Sequence, residues 1–189
     1  MKNINTSLAV NRLIKTIAAT GALSVAVIAP NAVQILGKPL TKGLNTNEVE
    51  SEAQRLIRYM KQKRYVEVLE ASDDSQVLTV TERGKQRIRM IEFSEMKIPT
   101  PNRWDKTWRV VIFDIPEKYK VTRNSLNFKL KELGFKQLQR SVWVHPYPCF
   151  DEIELIKANY GIERYVTCLE SSNVDSHNQL VKSFASLLK

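Results

Sequence analysis

The sequence predicts an α+β protein of two domains: a helix-and-hairpin unit over residues 1–98, a linker over 99–103, and a β-α-β-β-α-β unit over 104–189. Three observations predict it. Apolar positions in the first half recur at helical spacing and then run through a hairpin. In the second half, strand-like and helical runs follow one another in the order of a ferredoxin-like sheet. Between the halves, Pro99-Thr100-Pro101-Asn102 sets two prolines within three residues, which neither a helix nor a central strand continues. With 189 residues, 43 % of them apolar, the chain can fill a real core and is neither disordered nor collagenous.

The first 45 residues carry Lys2, Arg12, Lys15, Lys38 and Lys42, no acid, and an apolar run from Ile17 to Ala29. Two readings stay open. A basic start, an apolar stretch and Val27-Ile28-Ala29 are the parts of an export signal. The other reading is two short helices of a globular domain, Leu8 to Ala19 and Ala22 to Leu36, broken near Gly21 and at Pro30. A membrane span fits less well, because about 20 apolar residues are needed and an extension to Leu36 takes in Pro30, Asn31 and Gln34.

Asn47 followed by Glu50 reads as a helix cap, and Val49, Ala53, Leu56, Ile57 and Met60 then mark one buried stripe. Glu48, Glu50 and Glu52 lie at the start of this helix and Arg55, Arg58, Lys61, Lys63 and Arg64 at its end. Helix-dipole stabilisation accounts for that asymmetry, and so does a phosphate-contacting face. Tyr65 to Leu69 and Val77 to Val80 flank the turn cluster Asp73-Asp74-Ser75 and predict a hairpin, after which Thr81 to Lys85 leads into a basic helical stretch through Met90. Helix, hairpin, then Leu78-Thr79-Val80-Thr81-Glu82-Arg83-Gly84-Lys85 resembles the end of the winged helix-turn-helix domains of many bacterial repressors. In Met60-Lys61-Gln62-Lys63-Arg64-Tyr65-Val66, Arg64 stands where the pattern has its helix-ending glycine, so a left-handed backbone is expected there at a cost of roughly 1 kcal/mol. The resemblance implies that this helix enters a DNA major groove, with Arg55, Arg58, Lys61, Lys63 and Arg64 as contacts. The expected wing tip, Glu70 to Asp74, is acidic and works against phosphate contact.

In the second half, Trp108 to Phe113 reads as a buried strand ending at Asp114-Ile115-Pro116, and Val121, Leu126, Leu130 and Leu133 space a helix that stops at Gly134. Phe135 to Leu138 and Ser141 to Val144 read as strands, Phe150 to Ala158 as a helix and Arg164 to Leu169 as the last strand. Leu180, Val181, Phe184, Leu187 and Leu188 form an apolar stripe that should dock on the sheet or on a second copy. Trp143, Tyr147 and Phe150 read as core or dimer contacts before base-stacking groups. His145 and His177 have no partner spacing and are not read as catalytic. Cys149 and Cys168 belong to no C-x-x-C pair, which excludes a zinc ribbon or a disulfide scaffold and leaves reduced, buried thiols.

W-R-V-V-I-F-D-I-P-E-K from Trp108, Arg123, L-K-E-L-G-F from Leu130 and Q-R-S-V-W-V-H-P from Gln139 closely resemble the central domain of PaaX-like transcriptional repressors. That domain is itself similar to the small CRISPR-associated nuclease Cas-two, and the resemblance covers Trp104 to about Glu170. It implies a cytoplasmic, homodimeric repressor that binds double-stranded DNA, needs no cofactor, uses no membrane and has an unidentified effector. The alternative it implies is a magnesium-dependent Cas-two-type endonuclease or adaptation protein, with Asp114 as catalytic residue and metal ligand. A lone carboxylate is a weak magnesium site, and an aspartate ending a strand before Pro116 is better explained by turn chemistry.

A net charge of +9 and a pI near 9.6 make polyanions the first partners to test. The charge is uneven: residues 1–45 hold five bases and no acid, 46–103 eleven bases and ten acids, and 104–189 thirteen bases and ten acids. The two local basic stretches are Arg55 to Arg64 and Lys118 to Arg140, the latter offering Lys118, Lys120, Arg123, Lys129 and Arg140 as a nucleic-acid surface.

Overall fold

A computed structural model describes residues 5–24, 28, 31–71 and 75–188. The chain divides into two compact units, Met1–Ser94 and Glu95–Lys189.

The first unit opens with α1, Thr6–Thr20, capped by the Asn5 side chain, which accepts the Leu8 N–H at 3.2 Å. Its buried stripe is Ala9, Val10, Leu13, Ile14 and Ile17, and it stops at Gly21, as expected. The expected second helix from Ala22 does not form at its start. Leu23–Ser24 is instead a short strand, β1, whose Leu23 lies opposite Leu78. Two short helices follow, α2 (Ala32–Leu36) and α3 (Lys38–Thr41). Val27 and Ala29 of the export-signal reading, and the break expected at Pro30, lie outside the described residues.

The next helix, α4, spans Thr46–Gln62 and begins two residues earlier than Asn47 predicts. Asn45 is its cap: its side chain accepts the Glu48 N–H at 3.0 Å, while Glu48 accepts the Asn45 N–H at 2.8 Å. Asn45-Glu48 and Asn47-Glu50 have the same spacing, and the reciprocal pair that closes is the one that lengthens the helix. At the other end Arg64 has φ 55, and the Tyr65 N–H reaches back to the Met60 carbonyl at 2.9 Å. This is a Schellman turn with arginine in the glycine position, as expected.

Strands β2 (Val66–Glu70) and β3 (Gln76–Val80) pair antiparallel, and with β1 they form a sheet of order β1-β3-β2. The tip residues 72–74, with Asp73 and Asp74, lie outside the described residues. Helix α5 (Glu82–Glu95) follows, and Thr81 ties its start to the end of α4. The Thr81 hydroxyl accepts the Gly84 N–H at 3.1 Å and donates to the Arg64 carbonyl at 2.6 Å, while the Thr81 N–H donates to the Tyr65 carbonyl at 3.1 Å. The T-x-x-G of the motif is therefore a cap and a crossing point in one. Leu13, Ile14, Ile17, Leu56, Met60, Leu78 and Ile91 fill the core of this unit.

The second unit runs β4 (Trp108–Phe113), a 3₁₀ turn (Glu117–Tyr119), α6 (Lys120–Glu132), β5 (Lys136–Gln139), β6 (Val142–His145), α7 (Phe150–Tyr160), a second 3₁₀ turn (Glu163–Tyr165), β7 (Val166–Ser171) and α8 (His177–Ser183). The sheet is antiparallel in the order β5-β6-β4-β7. This is the expected β-α-β-β-α-β chain order, with β5 and β6 one residue later than expected and β7 two residues later, after the second 3₁₀ turn. Gly134, at φ 89, ends α6 with a Phe135 N–H to Leu130 carbonyl bond of 3.0 Å, as its position predicts. Alternation along β4 puts Trp108 and Val110 on one face, where Val144, Leu180 and Phe184 join them in a single cluster. The carboxyl-terminal apolar stripe thus docks on its own sheet. Trp143 and Tyr147 are buried, as expected for core groups, and the Tyr147 hydroxyl donates to the Leu187 carbonyl; Phe150 is exposed.

Candidate nucleic-acid interface and the Asp114 pocket

Helix α4 buries Val49, Ala53, Leu56, Ile57 and Met60 and turns Asn47, Ser51, Gln54, Arg58 and Lys61 outward. The spacing of the outward set, at four, three, four and three residues, is one helical face. It begins with neutral hydrogen-bonding groups and ends in cations. Glu48 is committed to the capping box, and Glu52 to Arg55 at 2.7 Å, so two of the three acids near this face are engaged. Arg55 also donates to the Thr6 hydroxyl at 3.1 Å, which binds α4 to α1. Of the expected contacts, Arg55 is half-exposed and tied to Glu52 and Thr6, whereas Arg58, Lys61, Lys63 and Arg64 are exposed, with the Lys63 ammonium 5.7 Å from the Tyr59 ring centre. The sequence marks Asn47 only as a cap, and Ser51 and Gln54 carry no charge to single them out. Their signal was the complement of the buried stripe, the positions a helix must show to solvent once its apolar face is assigned.

In the second unit, residues 101–181 match the model of one protein family, described as the PaaX protein central Cas2-like domain. Over those residues the chain is similar to the PaaX central Cas2-like domain. A search of curated proteins finds no match. The resemblance read from the motifs between Trp108 and Pro146 is thereby borne out, over a span that reaches into α8.

The Cas2-like domain sorts its bases into two sets. Lys118, Lys120 and Arg140 are exposed, and Arg123 is half-buried, bonded to Glu117 at 2.8 Å and to the Ile115 carbonyl at 3.4 Å. Lys129 is a correction to the expected surface: it is 3 % exposed and pairs with Glu132 at 3.1 Å, because its position on α6 falls on the buried side beside Leu126 and Leu130. Arg109, one of the bases of the same stretch, is likewise buried, between Asp105 and Glu170.

Asp114 stands exposed just past β4, and its backbone N–H bonds the Tyr165 carbonyl at 3.0 Å. The cavity it lines also holds Glu117, Lys120, Arg123 and Arg140. Glu117, the nearest other carboxylate in that lining, is taken by Arg123, whose hydrogen bond and charge, with Lys120, keep it below the usual carboxylate range. Among the described residues no three His, Cys, Asp or Glu side chains gather as a metal-holding group. One open carboxylate among three cations does not fit magnesium, which takes carboxylate, water and phosphate oxygens.

His145 is buried, accepts the Tyr147 N–H at 3.2 Å, and is pushed down to about 4 by burial, helped by the nearby Arg109 charge. The ring is therefore neutral in the fold and protonates on unfolding near its ordinary 6.5. Between those values the unfolded state binds more protons, so stability rises with pH through that window and is fully present above it. Urea titrations from pH 4.5 to 7 are expected to show this rise, and His145→Phe to flatten it; an unchanged slope in the variant would assign the dependence elsewhere. Burial also pushes Cys149 up to about 12 and Cys168 up to about 11, so both are thiols at neutral pH. Cys149 is buried as read, and Cys168 only half so. No described helix is long and apolar enough to cross a membrane.

Proposed function

We propose that the chain is a cytoplasmic transcriptional repressor that binds double-stranded DNA as a homodimer and needs no cofactor. The observation that carries this reading is the outward face of α4, where amide, hydroxyl and guanidinium groups precede an antiparallel hairpin. Helix, short strand, helices and a hairpin in a β1-β3-β2 sheet support a winged helix-turn-helix reading, in which α4 is the groove-reading helix. The PaaX central domain in the second unit supports a regulator. In this reading Gln54 and Asn47 reach base edges, Arg58 a guanine, and Lys61 with Lys63 the phosphates beyond. A dimer then occupies two half-sites about one helical turn, or a multiple, apart.

The test is selection of duplexes from a random pool on the full chain, followed by fluorescence anisotropy across a salt series. Arg58→Ala is expected to weaken the selected sequence by about tenfold or more, since one bidentate base contact is worth about 1–3 kcal/mol of discrimination. Lys61→Ala should weaken all sequences alike and reduce the salt slope by about one. Failure to enrich any sequence overturns the repressor reading, and enrichment unaffected by Arg58→Ala overturns the placement of α4 in the groove.

A further inference from the structure

The end of β4, the first half of α6 and the turn between β5 and β6 enclose a cavity of about 500 Å³, lined among others by Asp114, Lys120, Arg123, Asn127, Arg140 and Ser141. Its charges do not cancel. Arg123 and Lys120 share one carboxylate, Glu117, at 2.8 and 3.7 Å, while Arg140 has no ion-pair partner among the described residues. Against these three cations stand only Glu117 and Asp114, so the lining is net positive. Arg123 is also pre-positioned, since the Ile115 carbonyl and Glu117 fix its guanidinium at the wall. The amide of Asn127 adds a buried Oδ1 that has no hydrogen-bond partner, an unfilled acceptor in a lining residue. Such a group is costly until a donor reaches it.

We propose that this cavity binds the terminal phosphate of a small phosphorylated molecule. Two guanidinium groups, an ammonium and the Ser141 hydroxyl supply the donors that a dianionic phosphate needs, and arginine forks match phosphate oxygens in geometry as well as charge. The volume lies in the range of small-molecule sites and leaves room for more than the phosphate itself, and a hydroxyl or amine on that remainder is the donor Asn127 lacks. Asp114 takes a role opposite to a metal ligand. At the rim of an anion site its charge repels the ligand and limits affinity.

The sign of that effect is the test. Inorganic phosphate and adenosine monophosphate are titrated into the full chain at constant ionic strength, with binding read from ¹H–¹⁵N shifts of the Arg123, Arg140 and Asn127 side chains. Both are expected to bind, the nucleotide more tightly. Arg140→Gln, at an exposed turn position with no ion pair among the described residues, should weaken both about tenfold, the loss of one charge-assisted contact. Asp114→Asn should tighten phosphate binding and leave magnesium without effect. No shift at millimolar phosphate or nucleotide overturns the proposal, as does magnesium binding that Asp114→Asn abolishes. An oligonucleotide lacking a terminal phosphate serves as the second arm: if it moves the same resonances as strongly as the nucleotide, the site takes backbone phosphodiesters and the terminal-phosphate assignment falls.

Discussion

Gly84→Ala is expected to destabilise the first unit by about 3 kcal/mol, the upper range of overpacking, because no atom near the new methyl group can retreat cheaply. A Cβ at Gly84 would lie 2.1 Å from the Tyr65 carbonyl oxygen and 2.6 Å from the Val80 Cγ1. That carbonyl is backbone, already accepts the Thr81 N–H, and sits one residue after Arg64, whose positive φ is locked by the Thr81 hydroxyl. Moving it away breaks the cap of α5 and the turn that ends α4 together. Gly161→Ala is the control: nothing lies within 4 Å of its Cβ, so only the left-handed backbone, φ +64, is penalised, at about 1 kcal/mol. Thermal unfolding of both variants by circular dichroism compares them directly, and a Gly84→Ala loss no larger than that of Gly161→Ala would refute the packing argument.

The second large effect belongs to Arg109→Met, expected to cost the Cas2-like domain about 3 kcal/mol at neutral pH. The guanidinium is 4 % exposed and makes five hydrogen bonds: to Glu170 at 3.0 Å, to the two Asp105 oxygens at 2.9 and 2.6 Å, and to the carbonyls of Thr107 and Pro146, each at 3.0 Å. Methionine keeps much of the length and supplies no donor. Asp105 and Glu170 are half-exposed and regain water, so the loss falls mainly on the two carbonyls and on the geometry that the fork imposed. Asp105 carries a pH signature, because the Arg109 hydrogen bonds hold its carboxyl below the usual range. A depressed folded value means stability present above the unfolded carboxylate value, about 3.9, and lost as pH falls through the folded one. Urea unfolding at pH 7 and pH 3 should therefore show the gap between wild type and variant narrowing in acid. A gap that is constant with pH would mean that Arg109 acts by packing alone.

How much of the fold is legible in the chain depends on the distance over which each feature is decided. The stripe Val49, Ala53, Leu56, Ile57 and Met60, the stop at Gly134 and the hairpin are settled by neighbours within a turn or two, and all three stand in the structure. The left-handed Arg64 was equally legible, since a Schellman turn needs its residue in that place whatever its type. Local pattern places Leu23 in a helix, and it loses to a strand pairing with Leu78, more than fifty residues on. Among the basic residues, composition cannot separate Arg58, in solvent, from Arg55, whose partner Thr6 lies 49 positions away, or Lys120, at a cavity, from Lys129, beneath its own helix.

The sequence by itself determined the α+β class, the order of elements in the Cas2-like domain and that domain's similarity to the PaaX central domain, because those rest on periodicity and on motifs contiguous in the chain. Tertiary structure decided which charges remain available. A cation's partner is fixed by where folding brings distant carboxylates and carbonyls, as Glu170 meets Arg109 across 61 positions. Only the folded chain shows Arg55 tied to Thr6 beside an outward Arg58, and an Asp114 set among Lys120, Arg123 and Arg140 in place of further carboxylates.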